Sequence, residues 1–275
     1  MRFSASSLNR WMACPKQAHF HDILDFPEQR HAKTAYGSCV HHALDEYNTN
    51  GDVDKAIEMF CDLWEDPSKI DQEITMWPPK TTWTELRDRG VACIQTFAEE
   101  NRKEHRDVIA SEHEFLVPFG DHTLSGFIDY LEVVGEGKDK ELLVVDLKTS
   151  SRKPTHLELR MNVQFSVYLY ASRQPEFWEG LENGEELYES FKDVPRRGIW
   201  YALWHNQRMD VGPREDVDNE RLYRVALEVQ RAIEQEVYIP NISGSNCIWC
   251  LYTSVCSAVI PIANHVEEAR DARIR

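Results

Sequence analysis

The sequence predicts an α/β fold, a core of strands flanked and decorated by helices. Three observations carry this. Val108 to Thr149 is rich in β-branched and apolar residues and is cut by turn formers at Gly135-Glu136-Gly137. Leu142-Leu143-Val144-Val145 is an unbroken apolar run, as a strand buried on both faces requires. On either side of this region, apolar residues recur at helical spacing.

In chain order, Ser4 and Ser6 precede an amphipathic stretch, Leu8 to Met12, expected as a short helix ending near Cys14-Pro15. A second helix is expected from about Thr34 to Tyr47, where Tyr36, Val40, Ala43, Leu44 and Tyr47 fall at helical spacing. Val53 to Lys103 keeps a helical pattern, broken near Asp66-Pro67 and Trp77-Pro78-Pro79, since proline cannot continue a helix. Strands are expected over Val108–Phe119, Thr123–Val134 and Glu141–Thr149. Leu157 to Ala171 returns to helical spacing, and Glu182–Asp193 reads as an acidic surface loop or helix. Arg197–Trp204 and Arg208–Val211 read as two more strands around His205-Asn206-Gln207. Asp216 to Val237 closes the pattern as a long helix. The organisation is thus N-terminal helices over 1–50, a helical insertion over 51–107, the α/β core over 108–240 and a cysteine-bearing segment over 241–275.

No apolar run approaches the roughly 20 residues that cross a bilayer. The start, MRFSASSLNRWMACP, has no apolar stretch of signal-peptide length, so a cytoplasmic protein is expected. The seven cysteines, an odd number, argue against a disulfide framework. Cys39, Cys61 and Cys93 lie in expected helices and read as small buried hydrophobes. The net charge of −16 runs against a nucleic-acid surface. That charge is uneven, however. Leu147 to Pro175 holds five basic residues (Lys148, Arg152, Lys153, Arg160, Arg173) and one acidic residue, Glu158, a strip able to track phosphates.

The chemistry concentrates in Val144-Val145-Asp146-Leu147-Lys148-Thr149. Residues two apart in a strand share a face, so Asp146 and Lys148 project together from the end of an apolar strand. Burying both is costly unless they pair or hold a metal. One strand earlier, Gly126-Phe127-Ile128-Asp129 supplies a second carboxylate. Two carboxylates on neighbouring strands with a lysine suit hydrolysis assisted by divalent ions. Glu112 and Glu114 are further candidates, with a solvent-facing role expected for each. Gln164 and Tyr168, four apart on the next helix, share one face. In Gly37-Ser38-Cys39-Val40-His41-His42, His41 is preferred over His42 as a metal ligand. Cys247-Ile248-Trp249-Cys250 and Cys256 form a C-x₂-C-x₅-C set, suited to Zn²⁺ or an iron–sulfur cluster and wanting a fourth ligand, for which His265 is one candidate.

These pieces in this order resemble the RecB-like branch of the PD-(D/E)XK nuclease superfamily, which includes the exonuclease modules of RecB and AddB and the CRISPR-associated Cas-four proteins. The resemblance runs from Phe3 to Cys256 and adds Ser4-Ala5-Ser6-Ser7-Leu8 and Cys14-Pro15 to the motifs above. It departs at Ile128, where many superfamily members carry a proline before the aspartate. The resemblance implies a restriction-endonuclease-like mixed sheet flanked by helices, with the two ends of the chain stapled by a [4Fe–4S] cluster on Cys14, Cys247, Cys250 and Cys256. It implies Mg²⁺ or Mn²⁺ held by His41, Asp129, Asp146 and the carbonyl of Leu147. Lys148 would position the nucleophilic water, and Gln164 and Tyr168 would contact DNA or active-site groups. The implied activity is exonucleolytic hydrolysis of DNA, at single-stranded ends, in recombination, repair or processing. No G-x-x-x-x-G-K-[ST] motif is present, so unwinding would fall to a partner helicase or another recombination or CRISPR factor. A compact nuclease of this kind suits the cytoplasm of a bacterial or phage-infected cell. The alternative is a DNA-binding or assembly module of a larger complex.

Overall fold

The computed structural model describes residues 1–27, 31–74, 77, 81–248 and 250–259, with Ser245 described by its backbone alone. His265, Pro78 and Pro79 lie outside these residues. The strands are β1 (Arg2–Ser4), β2 (Asp107–Phe119), β3 (His122–Val134), β4 (Glu141–Lys148), β5 (Arg196–Ala202) and β6 (Gln207–Gly212). The helices are α1 (Ala5–Ala13), α2 (Pro15–Ala18), α3 (Ala32–Asn50), α4 (Val53–Glu65), α5 (Trp83–Glu104), α6 (His156–Arg160), α7 (Val163–Ala171), α8 (Gly184–Phe191), α9 (Asp216–Glu234) and α10 (Gly244–Cys247). The strands make one mixed sheet in the order β1-β3-β4-β5-β6, with β2 paired to the other edge of β3. β1–β3 and β4–β5 are parallel, and the remaining pairs are antiparallel. The parallel β4–β5 pair is connected through α6, α7 and α8, as parallel neighbours require.

Alternation along β4 divides the core. Leu142 and Val144 pack with α1, α7 and α9 on one face, through Leu8, Trp11, Val167, Leu169, Leu222 and Ala226. Leu143, Val145 and Leu147 pack on the other face against α3, α4 and α5, through Val40, Leu44, Phe60, Ile94 and Phe97. The 53–103 stretch is therefore the cover of one sheet face.

Two irregularities of the sheet decide where the site falls. First, β1 and β4 share one edge of β3. β1 pairs with residues 123–125 and β4 with residues 130–134, so Gly126 to Asp129 have no strand partner on that edge. Beyond Val145, β4 has likewise left β3 and continues beside β5 alone. The sheet forks here. Second, the inside–outside alternation slips halfway along the β2–β3 hairpin. Ala110 and Phe115 face the same core although five residues apart, and Ile128 and Leu131 do so although three apart. The register stays matched across the slip, with Ser111 opposite Tyr130 and His113 opposite Ile128. Glu112, at the slip, has φ of 43°, left-handed backbone in the interior of a strand.

Several element boundaries differ from expectation. Ser4 caps the first helix through reciprocal hydrogen bonds with Ser7, so the helix starts at Ala5, before the expected Leu8. The single helix expected over 157–171 is two, because Asn162 accepts from the Phe165 amide and begins α7 afresh. β5 ends at Ala202, where Leu203–His205 forms a 3₁₀ turn into left-handed Asn206. α9 stops at Glu234, before left-handed Glu236. β1 had no sequence signal, since three residues are too few to show alternation.

Candidate active site

The fork brings β3, β4, α3 and α7 to one place. Asp129 lies on the unpaired stretch of β3 and is buried. Its Oδ2 accepts a hydrogen bond from the Leu147 amide, which no longer bonds to β3's backbone. Its Oδ1 lies 3.3 Å from Nδ1 of His41. Glu112 Oε1 lies 3.4 Å from the same nitrogen. His41, Glu112 and Asp129 offer ligand atoms all within 4.8 Å of one another, the one such set of three or more His, Cys, Asp or Glu donors among the described residues. Glu112 thus corrects the solvent-facing role expected of it: the left-handed turn of its backbone aims its carboxylate at His41 instead. Glu114 is exposed.

α3 approaches the end of β4 closely enough that a Cβ at Gly37 would lie 3.2 Å from Thr149 Oγ1. That glycine, one turn before His41, lets the helix settle on the site. Gly37, Ser38, His41, His42 and Glu112 line an open cleft leading in.

Asp146 projects from the α7 side of β4 and is 1% exposed. Its Oδ1 accepts from Lys148 Nζ at 2.8 Å, so the two residues do share a face. Asp146 Oδ2, although 2.7 Å from the same ammonium, has no hydrogen bond of proper angle. Such buried lone pairs are costly unless another cation takes them up. Lys148 Nζ also donates to Gln164 Oε1 at 3.4 Å, and Gln164 Nε2 donates to Tyr168 Oη at 2.7 Å. One chain of contacts therefore runs from Asp146 through Lys148 and Gln164 to Tyr168, the last two sharing a face of α7.

Burial alone would lower the His41 pKa, but the Asp129 and Glu112 carboxylates outweigh it and raise it to about 10. Burial pushes the Asp146 carboxyl up to about 6, with Lys148 pulling it down and Asp129 adding to the rise. Burial would lower Lys148, yet Asp146 and Asp129 hold it above its ordinary value. Burial raises Tyr168 well above its ordinary value, assisted by the same two carboxylates. A carboxylate excess this deep in a protein calls for added positive charge, so the donor set fits a divalent cation of the Mg²⁺ or Mn²⁺ type.

The basic strip is weaker as a phosphate track than its sequence suggests. Arg152 is paired with Glu158, and Arg160 donates to the buried Asp218 at 2.7 Å. Each of these two charges is offset by an acidic partner of the same chain.

At the other end of α1, Cys14, Cys247, Cys250 and Cys256 line one cavity together with Phe20 and Asn241. The Asn241 amide donates to Cys14 Sγ at 3.3 Å. Burial first, and then the nearness of the other three cysteines, raises the Cys250 thiol. Cys39 and Cys93 are buried in α3 and α5, away from this cavity.

A family model described as the PD-(D/E)XK nuclease superfamily matches residues 2–257. No curated protein matches the sequence. Among solved structures, one titled "Crystal structure of SSO0001" is similar at 12% identity and a TM-score of 0.39, over 94% of this chain and 86% of that one.

Proposed function

The chain belongs to the PD-(D/E)XK nuclease superfamily, and from that premise we propose that it is a RecB-like, divalent-metal-dependent deoxyribonuclease acting as an exonuclease on single-stranded DNA ends in recombination, repair or processing. The observation that carries this reading is the sheet fork, which gathers Asp129, Asp146 and Lys148 with His41 and leaves one buried oxygen of Asp146 without a hydrogen bond.

His41, Glu112, Asp129, Asp146 and the Leu147 carbonyl would hold Mg²⁺ or Mn²⁺. When bound, the ion supplies a Lewis acid for the phosphate and eases ionisation of the attacking water. The remaining work falls to the protein. Lys148, fixed by Asp146 and Gln164, presents a cation where negative charge develops on the phosphoryl oxygens and orients the water by hydrogen bonding. Tyr168 holds Gln164, and through it the direction of the ammonium. Leu147 fixes the Asp129 carboxylate through its amide, so that Oδ1 faces His41.

The same reading places a [4Fe–4S] cluster on Cys14, Cys247, Cys250 and Cys256. The four thiols line one shared cavity, which supports placing a thiolate-bound inorganic centre there.

The test is cleavage of end-labelled single-stranded DNA in Mn²⁺ by the wild type, Asp146→Ala and Lys148→Ala, with circular dichroism to establish folding. Both variants are expected to be folded and inactive, and full activity in both would remove the proposed site. Iron and zinc are measured on the same anaerobic preparation. About four irons per chain with broad absorption near roughly 400 nm is expected. A colourless protein with one zinc would remove the cluster and leave the nuclease reading standing.

A further inference from the structure

We propose that Phe127 is a stacking platform for an unpaired base of the strand being cut, and that it helps select single-stranded ends. The proposal rests on the nuclease reading above and adds to it a residue that touches the base rather than the phosphate.

Phe127 is 53% exposed in the interior of a strand, where a large apolar ring normally finds cover. Its neighbours Gly126 and Ile128 face the α7 side: a Cβ at Gly126 would meet the Phe115 ring, and Ile128 is fully buried in that core. Phe127 therefore projects from the opposite face, the one that carries Asp129 two residues on. That face is covered by α3, α4 and α5 only over Tyr130 and beyond, together with β4 and β5. At Phe127 the cover stops.

The uncovered patch is continuous. Leu116 lies diagonally across the hairpin from Phe127, two pairs along, on the same face, and is 51% exposed. On the opposite edge of β3, Arg2 of β1 donates to Ser125 Oγ at 2.8 Å, which puts an exposed guanidinium beside the patch. Glu114, opposite Phe127, is also exposed and disfavours phosphate directly over the ring. A base is different. It offers a flat, uncharged face of the ring's own size, and stacking on an aromatic is how single strands are gripped without reading sequence. Residues two apart in a strand are separated by about 6.8 Å, so a phosphate at Asp129 places an adjoining nucleotide over Phe127. In a duplex that base would be paired and stacked on its own neighbours, so an unpaired strand gains the contact at lower cost.

The experiment measures binding of fluorescent single-stranded oligonucleotides in EDTA, intact or with one abasic residue at each of the first four positions from either end. The wild type is expected to bind about tenfold more weakly when the base at one particular position is missing. Phe127→Ala should bind intact DNA about tenfold more weakly and be indifferent to that same abasic residue, with an unchanged melting temperature because the ring is largely exposed. Phe127→Trp should restore binding, whereas Phe127→Leu should not. Multiplying losses in the Ala variant and the abasic DNA, or wild-type affinity in Phe127→Leu, would overturn stacking. A wild type that cuts DNA beside a Phe127→Ala variant of equal affinity removes the platform alone. A wild type that neither binds nor cuts DNA removes the nuclease reading and the platform with it.

Discussion

Replacing Glu112 by glycine separates the strain in the hairpin from the charge it serves. A left-handed backbone costs a residue with a side chain about 1–2 kcal/mol, which glycine escapes. Glycine loses more freedom on folding, about 0.5–1 kcal/mol inside a strand. The lost Glu112–His41 pair, 3.4 Å apart and partly exposed, contributes at most about 1 kcal/mol. These terms nearly cancel, so the metal-free variant is expected within about 1 kcal/mol of wild type, a change in Tm of about 2–4 °C or less. Glu114→Gly, two residues along the same strand and without positive φ, has no relief to offset the glycine cost and serves as the control. With Mn²⁺ the two variants should part company. At a concentration 100 times the Kd, an ion stabilises the protein by about 2.7 kcal/mol. If loss of the Glu112 carboxylate weakens the Kd about 100-fold, the same Mn²⁺ gives only about 0.4 kcal/mol. Differential scanning calorimetry of wild type and both variants, with EDTA and with Mn²⁺, reads each quantity. A metal-free Glu112→Gly that melts below Glu114→Gly would refute the strain, and a wild-type Mn²⁺ shift in Glu112→Gly would refute its role as a ligand.

Two other expectations follow from packing and charge. His41 has a folded value of about 10, above its ordinary 6.5, so its stabilising pairing is present in full below pH 6.5 and lost as pH rises toward 10. Urea denaturation in EDTA between pH 6 and 9.5 should show stability falling with pH, less steeply in His41→Ala; equal slopes would contradict the pairing. Gly198→Ala would put a methyl 2.4 Å from Phe165 Cδ1 on α7, an overpacking expected to cost about 1–3 kcal/mol and to displace the adjacent Gln164, lowering cleavage as well as stability.

Much of this fold was legible because its signals are local. Hairpin β2–β3, the β4 run and α9 each carry their periodicity within a dozen or so residues, and the Asp146–Lys148 pairing follows from strand alternation alone. The fork was not legible, since it depends on two strands dividing one edge of β3, and one of them is only Arg2–Ser4. Glu112, a further candidate ligand in the sequence, was expected to face solvent for a related reason. Alternation assigns it by parity, and nothing in Ser111-Glu112-His113 announces a left-handed residue of a type that rarely adopts that conformation. The basic strip misled because a count of arginines does not reveal that Asp218, 58 residues downstream, pairs with one of them.

The cavity that Cys14 shares with Cys247, Cys250 and Cys256 also imposes a schedule on synthesis. From Cys14 to Cys256 is 256 − 14 = 242 residues, which at about 5–20 residues per second takes on the order of 10–50 s to translate. During that interval Cys14 has left the ribosome and its companions do not yet exist. β1 waits too, until residues 123–125 emerge. The N-terminal segment must therefore stay unassembled, its thiol open to oxidants and its strand open to wrong partners, and the centre of the molecule can fold before its first and last segments meet. Slower growth at lower temperature, with reductant supplied late in expression, matches that order of events.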